Sequence, residues 1–165
     1  MFVSSTGVFG TEQGEVDEDT SPIPTRGAGE VLRAAEEFCL AQFSGSTAVI
    51  RPGGLVGDDR QPARFLAGRT GISGQHHPVN LVHRVDLVAL TIAVLFDQSS
   101  RTIFHAVAAE RPSKSEFYTA AARKLGLDAP HFDPSDMSTG KAILAEKSKN
   151  TLGITFQYDN PFDML

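Results

Sequence analysis

Tryptophan is missing from this 165-residue chain, and cysteine occurs once, as Cys39. A lone cysteine cannot close an intrachain disulfide, so the core must hold the fold. A reducing cytoplasm is the expected compartment. Long apolar runs are absent as well. The longest candidate, Leu87 to Phe96, is far short of the roughly 20 residues that cross a bilayer as a helix. The opening residues Met1-Phe2-Val3-Ser4-Ser5-Thr6 carry neither the basic n-region nor the apolar h-region of a signal peptide. Lysine and arginine form no cluster, and the formal net charge is −5. Both facts argue against nucleic acid or an anionic membrane as a partner. The one charge run is acidic, Glu15 to Asp19, and reads as a solvated loop. Tyrosine is scarce: Tyr118 and Tyr158 are the only two, so none precedes Phe117. No complete G-x-G-x-x-G motif occurs. Gly27-Ala28-Gly29 begins one, but Leu32 holds the sixth position and a loop, not a strand, leads into it.

What remains is an ordinary globular composition, 41% hydrophobic and 21% charged. The length suits one domain, large enough to bury most of its apolar surface without staples. Phe2-Val3, followed by Ser4 to Gly7, reads as the end of a buried strand running into a loop. Residues 10–26 are polar, with Gly14, Pro22 and Pro24, and read as a loop. A helix is expected over about 29–43, with Val31, Ala35, Phe38, Cys39 and Gln42 on its inner face. Thr47 to Ile50 reads as a strand closed by Pro52-Gly53-Gly54, and 61–66 as a short helix with Pro62 in its first turn. Val79 to His83 is short and extended. The helix that follows, from Asp86 to about Phe96, is apolar nearly all round and should be deeply buried. Ile103 to Val107 is a further strand. Ser113 and Glu116 form a capping box for a helix that stops at Gly126. Lys141 to Lys147 reads as helical and Ile154 to Tyr158 as a last strand.

This order of elements points to α/β with parallel strands, since crossovers between them are right-handed. A strand that begins at Met1 suggests a natural strand starting upstream, and hence a truncated chain. Only three solid strands can be counted, against the five or six of a complete doubly wound sheet.

Four segments together resemble the extended short-chain dehydrogenases/reductases, and among these the atypical members grouped as NAD-dependent epimerase/dehydratases or nucleoside-diphosphate-sugar epimerases. Residues 2–10 (FVSSTGVFG) resemble the strand-to-loop segment that delivers the active-site hydroxyl. Residues 49–57 (VIRPGGLVG) resemble the segment after the next strand. Residues 79–87 (VNLVHRVDL) are similar to the one that closes the substrate pocket and enters a buried helix, and residues 103–127 to the C-terminal stretch. The resemblance implies a partial Rossmann-like, doubly wound parallel sheet whose N-terminal βαβ units are missing, plus a small C-terminal α/β substrate region. Residues 1–60 would be the end of the Rossmann-like sheet. Residues 61–165 would be the substrate-binding region, with a helix and a strand returning to that sheet.

The implied chemistry is hydride transfer with NAD or NADP on a nucleotide-sugar or similar small molecule. Ser5 falls at the family's hydroxyl position, with Ser4, Thr6, Pro52, Gly53 and Gly54 toward the cofactor. The alternative for the hydroxyls is a backbone-satisfying turn. The Tyr and Lys of the family's proton relay align on Gly29 and Arg33. Ordinary redox catalysis is therefore not expected, and whether this chain retains the cofactor stays open. On the substrate side stand Asn80, His83, Arg51 and Arg60. An amide can donate and accept, and arginine suits a phosphate, with packing for His83 and ion pairing for the two arginines as the alternatives. His76-His77 lacks a third ligand of suitable spacing and reads as an exposed loop. A homodimer through helix 29–43 is implied by the family. The rival reading of the whole is a non-catalytic binding or regulatory domain.

Overall fold

The computed structural model describes residues 1–11, 14–25, 27–43, 47–57, 59–99 and 102–165; residues 12, 13 and 26 of the expected 10–26 loop lie outside these. Its centre is a three-stranded parallel sheet of β1 (Phe2–Val3), β3 (Val49–Pro52) and β6 (Ile103–Ala106), in the order β1-β3-β6. The register sets Phe2 beside Val49 and Ile103, and Val3 beside Ile50 and Phe104. Two small parallel pairs accompany it: β2 (Gly14–Val16) with β7 (Lys141–Ile143), and β4 (Gly54–Val56) with β5 (Leu81–His83).

Side chains alternate along these strands, so the central sheet has two distinct faces. Ile50, Phe104 and Ala106 form one core cluster with Leu90 and Val94 of helix α2 (Arg84–Leu95), joined by Phe156. Arg51 and His105, register neighbours on the opposite face, are buried with Glu36 of helix α1 (Ala28–Gln42) and Ser148 of helix α4 (Glu146–Leu152). Helix α3 (Lys114–Lys124) opens on the expected capping box: Ser113 Oγ accepts from Glu116 N at 3.2 Å, and Glu116 Oε2 accepts from Ser113 N at 2.9 Å. Phe117 and Ala121 of α3 pack with Val56, Val79 and Leu81 in a second cluster. The chain turns out of α3 at Gly126, whose φ of 63° is the left-handed conformation glycine adopts without strain.

The α/β class and parallel strands are as expected. Five local readings are corrected. Helix α1 is turned the other way: Val31 and Phe38 are 70% and 62% exposed, while Glu36 is 2% exposed. The reason is electrostatic. Glu36 binds Arg51 through contacts of 2.7 to 3.2 Å, and a buried charge must face its partner. Helix α2 is buried on one side only, at Asp86, Leu90 and Val94. The loop around Gly14 contains strand β2, because β7 pairs with it. Residues 141–143 are therefore strand, and the helix begins at Glu146. Residues 154–158 form no strand. The Asp86 carboxylate accepts from Gln157 N at 2.7 Å and Tyr158 N at 3.0 Å, tying that segment to the first turn of α2.

Candidate functional site

The C-terminal ends of parallel strands are where α/β folds gather ligands, because loops diverge there. Five segments meet at such ends here.

The first leaves β1. Ser5 caps a 3-10 turn (Thr6–Val8), its Oγ accepting from Gly7 N at 3.0 Å. Ser4 and Thr6 on either side are buried. Lys141 reaches this turn from β7 and donates to the carbonyls of Thr6 (2.9 Å) and Phe9 (2.6 Å); burial lowers its pKa. Sequence reasoning missed Lys141, which sits 135 residues away and carries no motif.

The second is the N-terminus of α1. A Cβ built on Gly29 would stand 2.6 Å from the Gly7 carbonyl oxygen and 3.1 Å from Pro24 Cβ. No side chain fits on this backbone, so a tyrosine cannot simply be restored at that position. Arg33, one turn on, pairs with Glu37 at 2.8 Å and donates to the Pro22 carbonyl at 3.1 Å, on the surface.

The third is the β3–β4 corner. Here Gly53 lies against the Asn80 carbonyl oxygen, 2.4 Å from where its Cβ would be, and Gly54 against Leu81, 2.8 Å away. Both glycines serve close packing of the chain on itself. Pro52 ends β3 opposite Ala106.

The fourth carries three of the expected substrate contacts, and each has partners within the fold. Asn80 spends its amide on β7: Nδ2 donates to the Lys141 carbonyl at 2.9 Å and Oδ1 accepts from Ile143 N at 2.8 Å. His83 is buried, caps α2 by accepting from Val85 N at 3.3 Å, and stacks on Tyr158 with ring centroids 3.9 Å apart. Arg51 is consumed by Glu36 and by the face of Phe9, whose ring centroid is 5.1 Å from its guanidinium carbon. Asn80 and His83 line none of the cavities described here, whereas Arg51 borders a second one of about 300 Å³ with Arg33 and Glu36, and its Nη1 has no hydrogen-bond partner among the described residues.

The fifth is a cleft beyond the ends of β4 and β5. Its volume is about 420 Å³, and its walls include Leu55, Gly57, Gln61 and Phe65. Three arginines enter it: Arg60, Arg64 and Arg84. Arg60 Nε donates to the Leu55 carbonyl at 3.1 Å, which fixes its stem beside the cleft. Arg84 follows β5 directly and meets Asp59 at 3.4 Å, an exposed and hence weak pair. Phe65 is 58% exposed and supplies an aromatic wall. Of the two expected phosphate-binding residues, Arg60 lines this cleft and Arg51 a separate cavity beside Glu36. Arg64 and Arg84 were missed; the signal was their spacing, one turn after Arg60 and one residue after His83. His76 lies exposed, His77 binds Ser138 Oγ at 2.7 Å, and no cluster of three metal-ligating side chains occurs among the described residues.

Known proteins resemble this chain in sequence and fold. Protein YeeZ of Escherichia coli strain K12 is 38% identical over 165 residues, which is 99% of this chain and 60% of YeeZ. A Methylobacillus flagellatus protein described as an NAD-dependent epimerase/dehydratase superposes with a TM-score of 0.79 at 26% identity, over 98% of this chain and 60% of its own. The UDP-glucuronic acid 4-epimerase of Bacillus cereus, solved with NAD, gives 0.75 at 18%, over 94% and 55%. The fold is that of NAD-dependent epimerase/dehydratases. This chain spans about 60% of the length of YeeZ and of the Methylobacillus protein. No family model matches it. Within the epimerase/dehydratase fold it holds a partial Rossmann-like sheet with parallel strands. No helix among the described residues is long and apolar enough to cross a membrane.

Proposed function

We propose that this chain is the substrate-holding portion of an NAD(P)-dependent epimerase/dehydratase-like protein that acts on a nucleotide-sugar or a similar phosphorylated small molecule. The observation that carries the reading is the cleft with Arg60, Arg64 and Arg84 beyond the carboxyl ends of β4 and β5. Three guanidinium groups in one concavity suit a diphosphate, because each can donate two parallel N–H bonds to phosphate oxygens. The volume falls in the range that takes a small ligand, and Phe65 and Leu55 give a base or sugar an apolar wall. The Bacillus cereus neighbour's substrate is a nucleotide-sugar by its name, which supports the same class here.

The residues present do not fit NAD or NADP. No G-x-G-x-x-G turn occurs in the sequence, and the glycine faces at 29, 53 and 54 are filled by Gly7, Asn80 and Leu81. We therefore derive no hydride-transfer step for this chain, and we read it as catalytically impaired on its own. Ser5 is the one hydroxyl in the family's catalytic position. Its Oγ takes a backbone N–H and keeps its own proton for a substrate oxygen. Ser4 and Thr6, the residues expected toward the cofactor, flank it and are buried, and the Ser4 hydroxyl has no hydrogen-bond partner among the described residues. A second reading, a non-catalytic binding domain, is favoured by the close approach of Gly29 to Gly7, which bars a tyrosine from the relay position.

Calorimetric titration with UDP-glucuronic acid, UDP and NADH tests the assignment. Binding of the two uridine nucleotides, weakened in Arg60→Ala, is the expected result. Binding of NADH alone would overturn it.

A further inference from the structure

The outer side of α2 takes no part in the cleft or the core. Val85, Val88, Ile92, Leu95 and Phe96 are between 45% and 75% exposed. Asp86, Leu90 and Val94 form the buried side of the same helix. At 3.6 residues per turn the five exposed residues fill an arc of roughly 100° that lies opposite the buried three. The stripe therefore points straight away from the sheet. No charged residue falls between Asp86 and Asp97, so the stripe is unbroken.

Its size is informative. The five fractional exposures amount to on the order of 500 Å², near the top of what the largest apolar patch on a monomer reaches. Two such faces brought together would remove about 1,000 Å² from water, the area a specific interface has to clear.

We propose that this face is a two-fold contact between copies of the chain, with α2 packed antiparallel on α2. A contact that repeats the same patch on both sides must be self-complementary, and this one is. A dyad between Leu90 and Thr91 sets Val85 level with Phe96 of the other copy, and brings Val88 within one residue of the level of its Ile92. The 3-4 spacing of the stripe is the one that interlocks helices side by side. The same dyad brings Arg84 of each copy to the C-terminal end of the other α2, close to Asp97, where a positive charge is favoured. A membrane surface fits less well. Arg84 is the one basic residue in α2, and the chain's net charge is −5, whereas interfacial helices carry a basic polar face.

Sedimentation velocity across micromolar concentrations tests this on the whole chain. The native protein should associate, and Ile92→Glu should raise the dissociation constant at least tenfold with an unchanged urea midpoint, since Ile92 is 51% exposed. In a Cys39→Ser background, Val88→Cys with Ile92→Cys should cross-link two chains on oxidation. The proposal is overturned if the chain stays monomeric to about 200 µM, or if Ile92→Glu leaves association unchanged while Phe38→Glu on α1 abolishes it. It also fails if neutral phosphatidylcholine vesicles bind the native chain as a monomer and release the Ile92→Glu variant.

Discussion

Removing the Glu36 carboxylate should be among the most damaging single changes in this protein. Arg51 and Glu36 have side chains 4% and 3% exposed and are joined by three N–O contacts of 2.7, 3.0 and 3.2 Å. In Glu36→Ala the guanidinium stays charged, because arginine does not deprotonate in proteins, and it loses its carboxylate partner. Breaking a buried pair from one side costs about 3–5 kcal/mol. For a domain of this size that corresponds to a fall in Tm of roughly 6–20 °C. The double variant Glu36→Leu/Arg51→Met should recover most or all of the loss, since an apolar pair of similar volume avoids desolvating two ions. Urea unfolding followed by circular dichroism measures both. A loss below about 1 kcal/mol for Glu36→Ala would refute the claim that this pair fixes the orientation of α1 on the sheet.

Gly29→Ala would normally stabilise a helix by about 0.5–1 kcal/mol; here the Gly7 carbonyl reverses the sign, and a net loss of about 1–3 kcal/mol is expected in the same assay. Ser113→Ala removes the α3 cap and should cost about 0.5–2 kcal/mol, read from the urea midpoint. Burial lowers the pKa of His105 in the folded chain below its ordinary 6.5. The unfolded chain therefore binds the extra proton, and stability should fall as the pH drops below about 6.5, a slope that His105→Phe should remove. Asp17 is held down to about 2, chiefly by Lys147 and then by Thr20. A further loss of stability is expected as the pH falls from its ordinary 3.8 toward 2, and it should be absent in Asp17→Asn.

How much of this was legible in the sequence depends on what kind of force decides each element. Strands β3 and β6, the α3 capping box and the stop at Gly126 are local signals, and they can be read from residues a few positions apart. The orientation of α1 was hidden because the buried residue is a glutamate, and its reason lies in a partner 15 residues away. β2 and β7 are separated by more than 120 residues, and neither carries a strand pattern until the other is beside it. The same limit governs the site. Ser5 is read from motif position, and Arg60 from the phosphate chemistry of arginine. Asn80, His83 and Arg51 also have the chemistry for a ligand, and their partners on β7, α2 and α1 could not be read from the sequence. Arg64 and Arg84 become site residues only when the ends of β4 and β5 converge.

The most direct test of the account is the affinity of the chain for UDP-glucuronic acid with the cleft arginines removed one at a time. Each of Arg60→Ala, Arg64→Ala and Arg84→Ala should weaken binding by about 1.5–3 kcal/mol, roughly ten- to a hundredfold in Kd, with the urea midpoint unchanged. An affinity unchanged from the native chain in all three variants would contradict it.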